Sequence, residues 1–151
     1  MAGAREKSKK RSGLSNSKPP EPLVFFIDHS LGNKKVADAL RQAGVTVEVH
    51  IDHFPSGAED LEWLSEVGKR GWIALTKDDR IRYRSIERDT LIRAQVAMFT
   101  LASGNLRGEE MAQAFIAALP RIRRFLAKNR PPFIAKITRS GAVSMLFSGK
   151  E

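Results

Sequence analysis

No cysteine occurs among the 151 residues, and that single absence removes disulfide staples, thiolate zinc sites and a cysteine nucleophile together. A reducing cytoplasm fits such a composition, so the expected localisation is cytoplasmic. Long apolar runs are lacking as well. None approaches the ~20 residues that cross a bilayer, and the first residues carry no apolar signal core, so no membrane role is expected. Glycine-rich phosphate loops of the GxGxxG or GKS/T kind are missing, which leaves coenzyme chemistry unsupported. Histidines are few, and His50 and His53 with Asp52, joined only by the distant His29, do not make a zinc spacing. Acidic residues are the minority charge, 17 against 26 Lys and Arg, for a formal net charge of +9. That balance favours polyanions, because each neutralised phosphate releases condensed counterions; nucleic acid is the expected partner, with ordinary basic surface chemistry as the alternative.

What the chain does have is a hydrophobic content of 42%, enough for one unit with a sizeable core. Its organising stretch is Gly71 to Asp79, GWIALTKDD. Trp72, Ile73, Ala74 and Leu75 run without alternation, as in a strand covered on both faces, and stop at Thr76, Lys77, Asp78 and Asp79. A second such run, Leu23 to Ile27, stops at Asp28. Carboxylates at strand tips lie where open α/β sheets hold their ligands.

Residues 1–22 interleave Arg5, Lys7, Lys9, Lys10, Arg11 and Lys18 with Ser, Gly, Asn and Pro, the composition of a disordered basic tail. The expected folded unit is 23–151. After Asp28 comes a turn, then a helix that Asn33 can cap, with Val36, Leu40 and Ala43 inward and Gly44 at its end. Val45, Val47 and Val49 alternate with polar residues, a half-buried strand nearer an edge. In AEDLEWLSEVGKR, Leu61, Trp63, Leu64 and Val67 form the apolar arc of a helix, and Asp60 falls in the middle of it. A carboxylate aimed at the core is costly; the helix start compensates part, and a shared metal ion would supply the rest.

Ser85 begins a short helix, and Gln95 to Leu101 reads as a fourth strand. A long helix from Gly108 to Lys128 points Met111, Phe115, Ala118, Leu119, Ile122 and Leu126 inward, and Pro120 is expected to kink or split it. Phe133 to Thr138 and Ala142 to Phe147 flank Arg139-Ser140-Gly141 as a C-terminal hairpin, 133–147. Strands alternating with helices predict a three-layer α/β domain with a central, mostly parallel sheet.

Asp28, Asp60 and Asp78 thus come from two strand ends and one helix start at one sheet edge. Three carboxylates cannot crowd together unpaired, and a hard divalent cation, Mg²⁺ or Mn²⁺, resolves the repulsion. Asp79 is either a fourth ligand or the cap of the following turn.

The order Phe26-Ile27-Asp28, then Asp60-Leu61-Glu62-Trp63-Leu64, then Leu75-Thr76-Lys77-Asp78, resembles the PIN-like domains, in particular their toxin-type (VapC-like) branch. The resemblance spans about residues 23 to 147. It implies a Rossmann-like sheet and a Mg²⁺- or Mn²⁺-dependent endoribonuclease, often the toxin of a toxin–antitoxin pair and often a homodimer, with Asp28, Asp60 and Asp78 as its metal-binding and catalytic carboxylates. Lys77, Arg80, Arg82 and Arg84 would then hold the RNA backbone and Tyr83 would stack a base. Thr76 and Ser30 stand beside the acids, where each can orient a carboxylate or water or make a simple strand-end hydrogen bond. The chain departs from the family at the fourth acid, since Asp79 adjoins Asp78 and Glu87 is remote in sequence.

The rivals fit less well. A response-regulator receiver needs its acidic pair after the first strand, and a haloacid-type phosphatase needs a second aspartate where Asp28-His29-Ser30 has serine. The remaining alternative is a non-catalytic RNA- or protein-binding module with the same fold.

Overall fold

Two apolar stretches lie side by side inside a six-stranded sheet: Val24–Ile27 (β1) and Ile73–Thr76 (β3). The computed structural model describes residues 23–32, 34–55, 60–77, 85–102 and 105–149, the side chain of Asp60 excepted. The basic tail 1–22, Asn33 and the turn residues Ser103 and Gly104 therefore lie outside the described residues. The other elements are Lys35–Gln42 (α1), Thr46–Val49 (β2), Asp60–Arg70 (α2), Ser85–Ala94 (α3), Ala97–Leu101 (β4), Gly108–Lys128 (α4), Phe133–Ile137 (β5) and Val143–Ser148 (β6).

The sheet runs in the order β2-β1-β3-β4-β5-β6. Its first five strands are parallel and β6 is antiparallel to β5. Strands β3 and β4 are buried at every position, as apolar runs without alternation require when helices cover both faces. The edge strand β2 instead alternates, with Val47 and Val49 buried and Thr46 exposed. One face carries Phe25, Ile27, Phe99 and Phe133 against Leu40 of α1 and Phe115 and Ile122 of α4. The other carries Phe26, Ala74, Met98 and Ile134 against Trp63, Leu64 and Val67 of α2 and Leu91 of α3. The result is a mixed α/β fold of three layers.

Helices α2 and α3 approach closely because residue 68 is glycine: a Cβ there would stand 2.3 Å from the Ala94 carbonyl oxygen. Helix α4 continues through Pro120 rather than splitting. Proline removes the hydrogen bond to the Ile116 carbonyl, but both residues are on the exposed side, where that carbonyl is open to solvent. A smaller difference concerns α1, which stops at Gln42 and leaves Ala43 exposed, so Ala37 takes the inward place. Gly44 then turns the chain at φ +93°, a left-handed conformation that glycine adopts without penalty.

The chain's course singles out one position on the sheet. From β1 it passes through α1 on one face to β2, then through α2 on the opposite face to β3 on the far side of β1. The connections diverge between β1 and β3, which opens a crevice at the carboxyl ends of those two strands.

Candidate functional site

Asp28 stands at that divergence. Its backbone N–H donates to the Leu75 carbonyl at 3.1 Å, extending the β1–β3 pairing by one residue and locking the acid to the β3 tip. The residue is only 2% exposed. Although it precedes a 3-10 turn, His29–Leu31, its side chain makes no capping bond to that turn. Both donors to the carboxylate reach the same oxygen: Ser30 Oγ at 2.8 Å and Thr76 Oγ1 at 2.7 Å donate to Oδ2. Each hydroxyl has one proton, so with both committed to Oδ2 the 3.1 Å contact between Ser30 and Thr76 adds no further bond. Ser30 Oγ also accepts from the Lys77 backbone N–H at 3.1 Å, which holds the β3 tip against the β1 turn.

The other oxygen, Oδ1, is buried and has no hydrogen-bond partner among the described residues. His29 Nδ1 lies 2.9 Å away but off the line of a hydrogen bond, and its ring is largely exposed. Burying a carboxylate costs several kcal/mol, and hydroxyls that donate to a charged oxygen return about 1.5–3 kcal/mol each. Both of those bonds fall on Oδ2, so Oδ1 is the oxygen that a cation would complete. The site thus fits a hard divalent ion by its oxygen chemistry.

Strand register places more polar groups beside Asp28. Ile27 pairs with Val49 and with Leu75, Thr76 with Thr100, and Thr100 with Lys136. One transverse row therefore reads His50, Asp28, Thr76, Thr100 and Lys136. By strand alternation it lies on the α2–α3 face, one step beyond the apolar row Phe26, Ala74, Met98 and Ile134. Thr100 Oγ1 is buried without a hydrogen-bond partner among the described residues, a cost of about 1–3 kcal/mol if it stays so. Lys136 is half-buried. The sequence reading did not single out Thr100 or Lys136. Their signal is a single polar residue in the penultimate position of AMFTL and of FIAKI, and it acquires meaning only once the register is known.

Of the residues that the sequence nominates, Asp28, Ser30, Thr76 and the half-buried Lys77 meet at the β1–β3 crevice. Asp60 begins α2, though its side chain is not among those described. Asp78, Asp79, Arg80, Arg82, Tyr83 and Arg84 lie outside the described residues. Among the described residues no group of three His, Asp or Glu is arranged to hold a metal. His53 Nε2 is 2.8 Å from Glu48 Oε1, and the buried His50 ring lies 5.3 Å from Phe54 and 5.2 Å from His29. No helix among the described residues is long and apolar enough to cross a membrane.

Comparison with known proteins agrees with this fold. The family described as PIN like domain matches residues 23–103, more than half of the chain and the segment that holds β1 through β4. A Mycobacterium tuberculosis (strain ATCC 25618 / H37Rv) protein named "Putative ribonuclease VapC45" is 30% identical over 126 residues, covering 81% of this chain and 91% of that relative. No solved structure gives a significant match. The chain belongs to the PIN-like domain family.

Proposed function

We propose that this protein is a divalent-metal-dependent endoribonuclease that hydrolyses RNA phosphodiester bonds. The observation that carries the reading is the buried Asp28 carboxylate, with one oxygen held by two hydroxyls and the other left without a donor among the described residues, at the crevice between β1 and β3. The ribonuclease name of the Mycobacterium tuberculosis relative supports the substrate class. Asp28, Asp60 and Asp78 hold Mg²⁺ or Mn²⁺, with Asp79 as a further ligand or as the cap of the next turn. The bound ion supplies an activated water at neutral pH and neutralises charge on the phosphoryl group.

The chain's own residues do the rest. Ser30 and Thr76 fix the orientation of Asp28. Lys77, Arg80, Arg82 and Arg84 bind the RNA backbone, a role that the net charge of +9 favours, and Tyr83 stacks a base. The VapC-like resemblance further supports a cytoplasmic toxin, a homodimer in solution, partnered by a protein antitoxin.

The test is cleavage of single-stranded and structured RNA with and without EDTA. The reading expects cleavage that stops with EDTA, returns with Mg²⁺ or Mn²⁺, and is lost in Asp28→Asn while RNA binding persists. Binding without cleavage under every metal condition would instead identify a non-catalytic RNA-binding module.

A further inference from the structure

The polar row does not end at the Asp28 crevice. Beyond Thr76 it continues through Thr100 to Lys136, two neighbouring side chains drawn into the sheet face without a polar partner among the described residues. Among the described residues the buried Thr100 hydroxyl has no hydrogen-bond partner, and the half-buried Lys136 ammonium has no ion pair or hydrogen bond. Other cations among the described residues also lack an ion pair, Lys35, Lys69 and Arg121 among them, but those are exposed whereas Lys136 is half-buried. A lysine drawn partly into a sheet face, next to an unsatisfied hydroxyl and in line with a proposed phosphodiesterase centre, has the chemistry of an anion subsite.

Resting on the ribonuclease reading above, we propose that Lys136, assisted by Thr100, binds a phosphate that flanks the scissile one. Three strand spacings of about 4.8 Å put Lys136 roughly 14 Å from Asp28 along the row. That separation is too long for the reacting phosphate and suited to a neighbouring one. The RNA strand accordingly crosses the carboxyl edge of the sheet from β1 toward β5, transverse to the strands, and a water bridging phosphate to Thr100 Oγ1 supplies the partner that this hydroxyl lacks.

The experiment is fluorescence anisotropy of a labelled single-stranded RNA with the full chain carrying Asp28→Asn, across a salt series. Adding Lys136→Met should weaken binding roughly five- to tenfold and flatten the slope of log K against log salt by about 0.7, the value for one phosphate contact on a single strand. Lys136→Arg should keep both, and Thr100→Val should weaken binding about two- to threefold. Removing the nucleotides on one side of the RNA should cost the Asp28→Asn protein the same factor and cost the Lys136→Met form nothing further. An unchanged slope in Lys136→Met would overturn the proposal. So would a loss of affinity that Lys136→Arg shares along with a lowered melting temperature, since that marks a structural lysine. The anisotropy does not depend on cleavage, so a parent protein that binds RNA but never cuts it would sink the ribonuclease reading and leave the subsite itself measurable.

Discussion

Thr76 Oγ1 donates a 2.7 Å hydrogen bond to Asp28 Oδ2 across 48 positions of sequence, tying the tip of β3 to the acid that ends β1. The carboxylate is therefore aimed before any ligand arrives. Thr76→Val keeps the shape and removes the donor, so it should cost about 1–3 kcal/mol of stability by urea denaturation. It should also slow RNA cleavage about 10- to 100-fold, the usual scale for losing a group that orients a metal ligand. Thr76→Ser, which retains the hydroxyl, should lose little of either.

Gly68 permits the contact between α2 and α3. Gly68→Ala would drive its methyl into the Ala94 carbonyl and Cβ, at 2.3 and 2.6 Å, so backbone rather than a flexible side chain has to move. The expected cost is about 1–3 kcal/mol. A urea midpoint equal to that of the unaltered protein would contradict the tight packing of these two helices.

Pro120 offers the opposite sign. Pro120→Ala restores an N–H donor to the Ile116 carbonyl on an exposed helix face. Proline in a helix interior is ~3 kcal/mol worse than alanine, and its stiffening of the unfolded chain returns about 0.4–1 kcal/mol. A net gain near 2 kcal/mol should appear as a raised melting temperature.

Much of this fold could be read from hydrophobic patterning, since unbroken apolar runs gave β1, β3 and β4, alternation gave β2 its edge, and Arg139-Ser140-Gly141 marked the hairpin. Pro120 does not split α4, because the carbonyl that its missing N–H leaves without a donor is on the exposed helix face. Asp28 was conspicuous as a carboxylate at a strand tip. Whether it caps a turn or faces a crevice depends on Thr76, 48 residues away, and only the parallel pairing of β1 with β3 settles their contact. Thr100 and Lys136 were invisible for the same reason, because their alignment with Asp28 exists in register and not in sequence.

Glu66 gives the surface a pH signature. Its hydrogen bond from Arg70, one helical turn on, holds the carboxyl below the ordinary range, and the charges of Arg70, Lys69 and His53 act in the same direction against partial desolvation. A depressed carboxylate stabilises the fold above its ordinary pKa and loses that contribution as pH falls through the folded value. The melting-temperature gap between the unaltered protein and Arg70→Gln should therefore narrow in acid below pH ~4. It should not close, because Arg70 also lies 4.9 Å over the Trp72 ring, a contact that acid leaves intact. A gap constant from neutral pH to pH ~3 would rule out the Glu66 contribution.

The central claim is that Asp28 and its partner acids gather one divalent cation, and Mn²⁺ binding by the full chain, followed by electron paramagnetic resonance, tests it most directly. The unaltered protein should show saturable binding that Asp28→Asn and Asp78→Asn each weaken at least tenfold, with circular dichroism unchanged. Equal Mn²⁺ affinity in all three proteins would contradict the account.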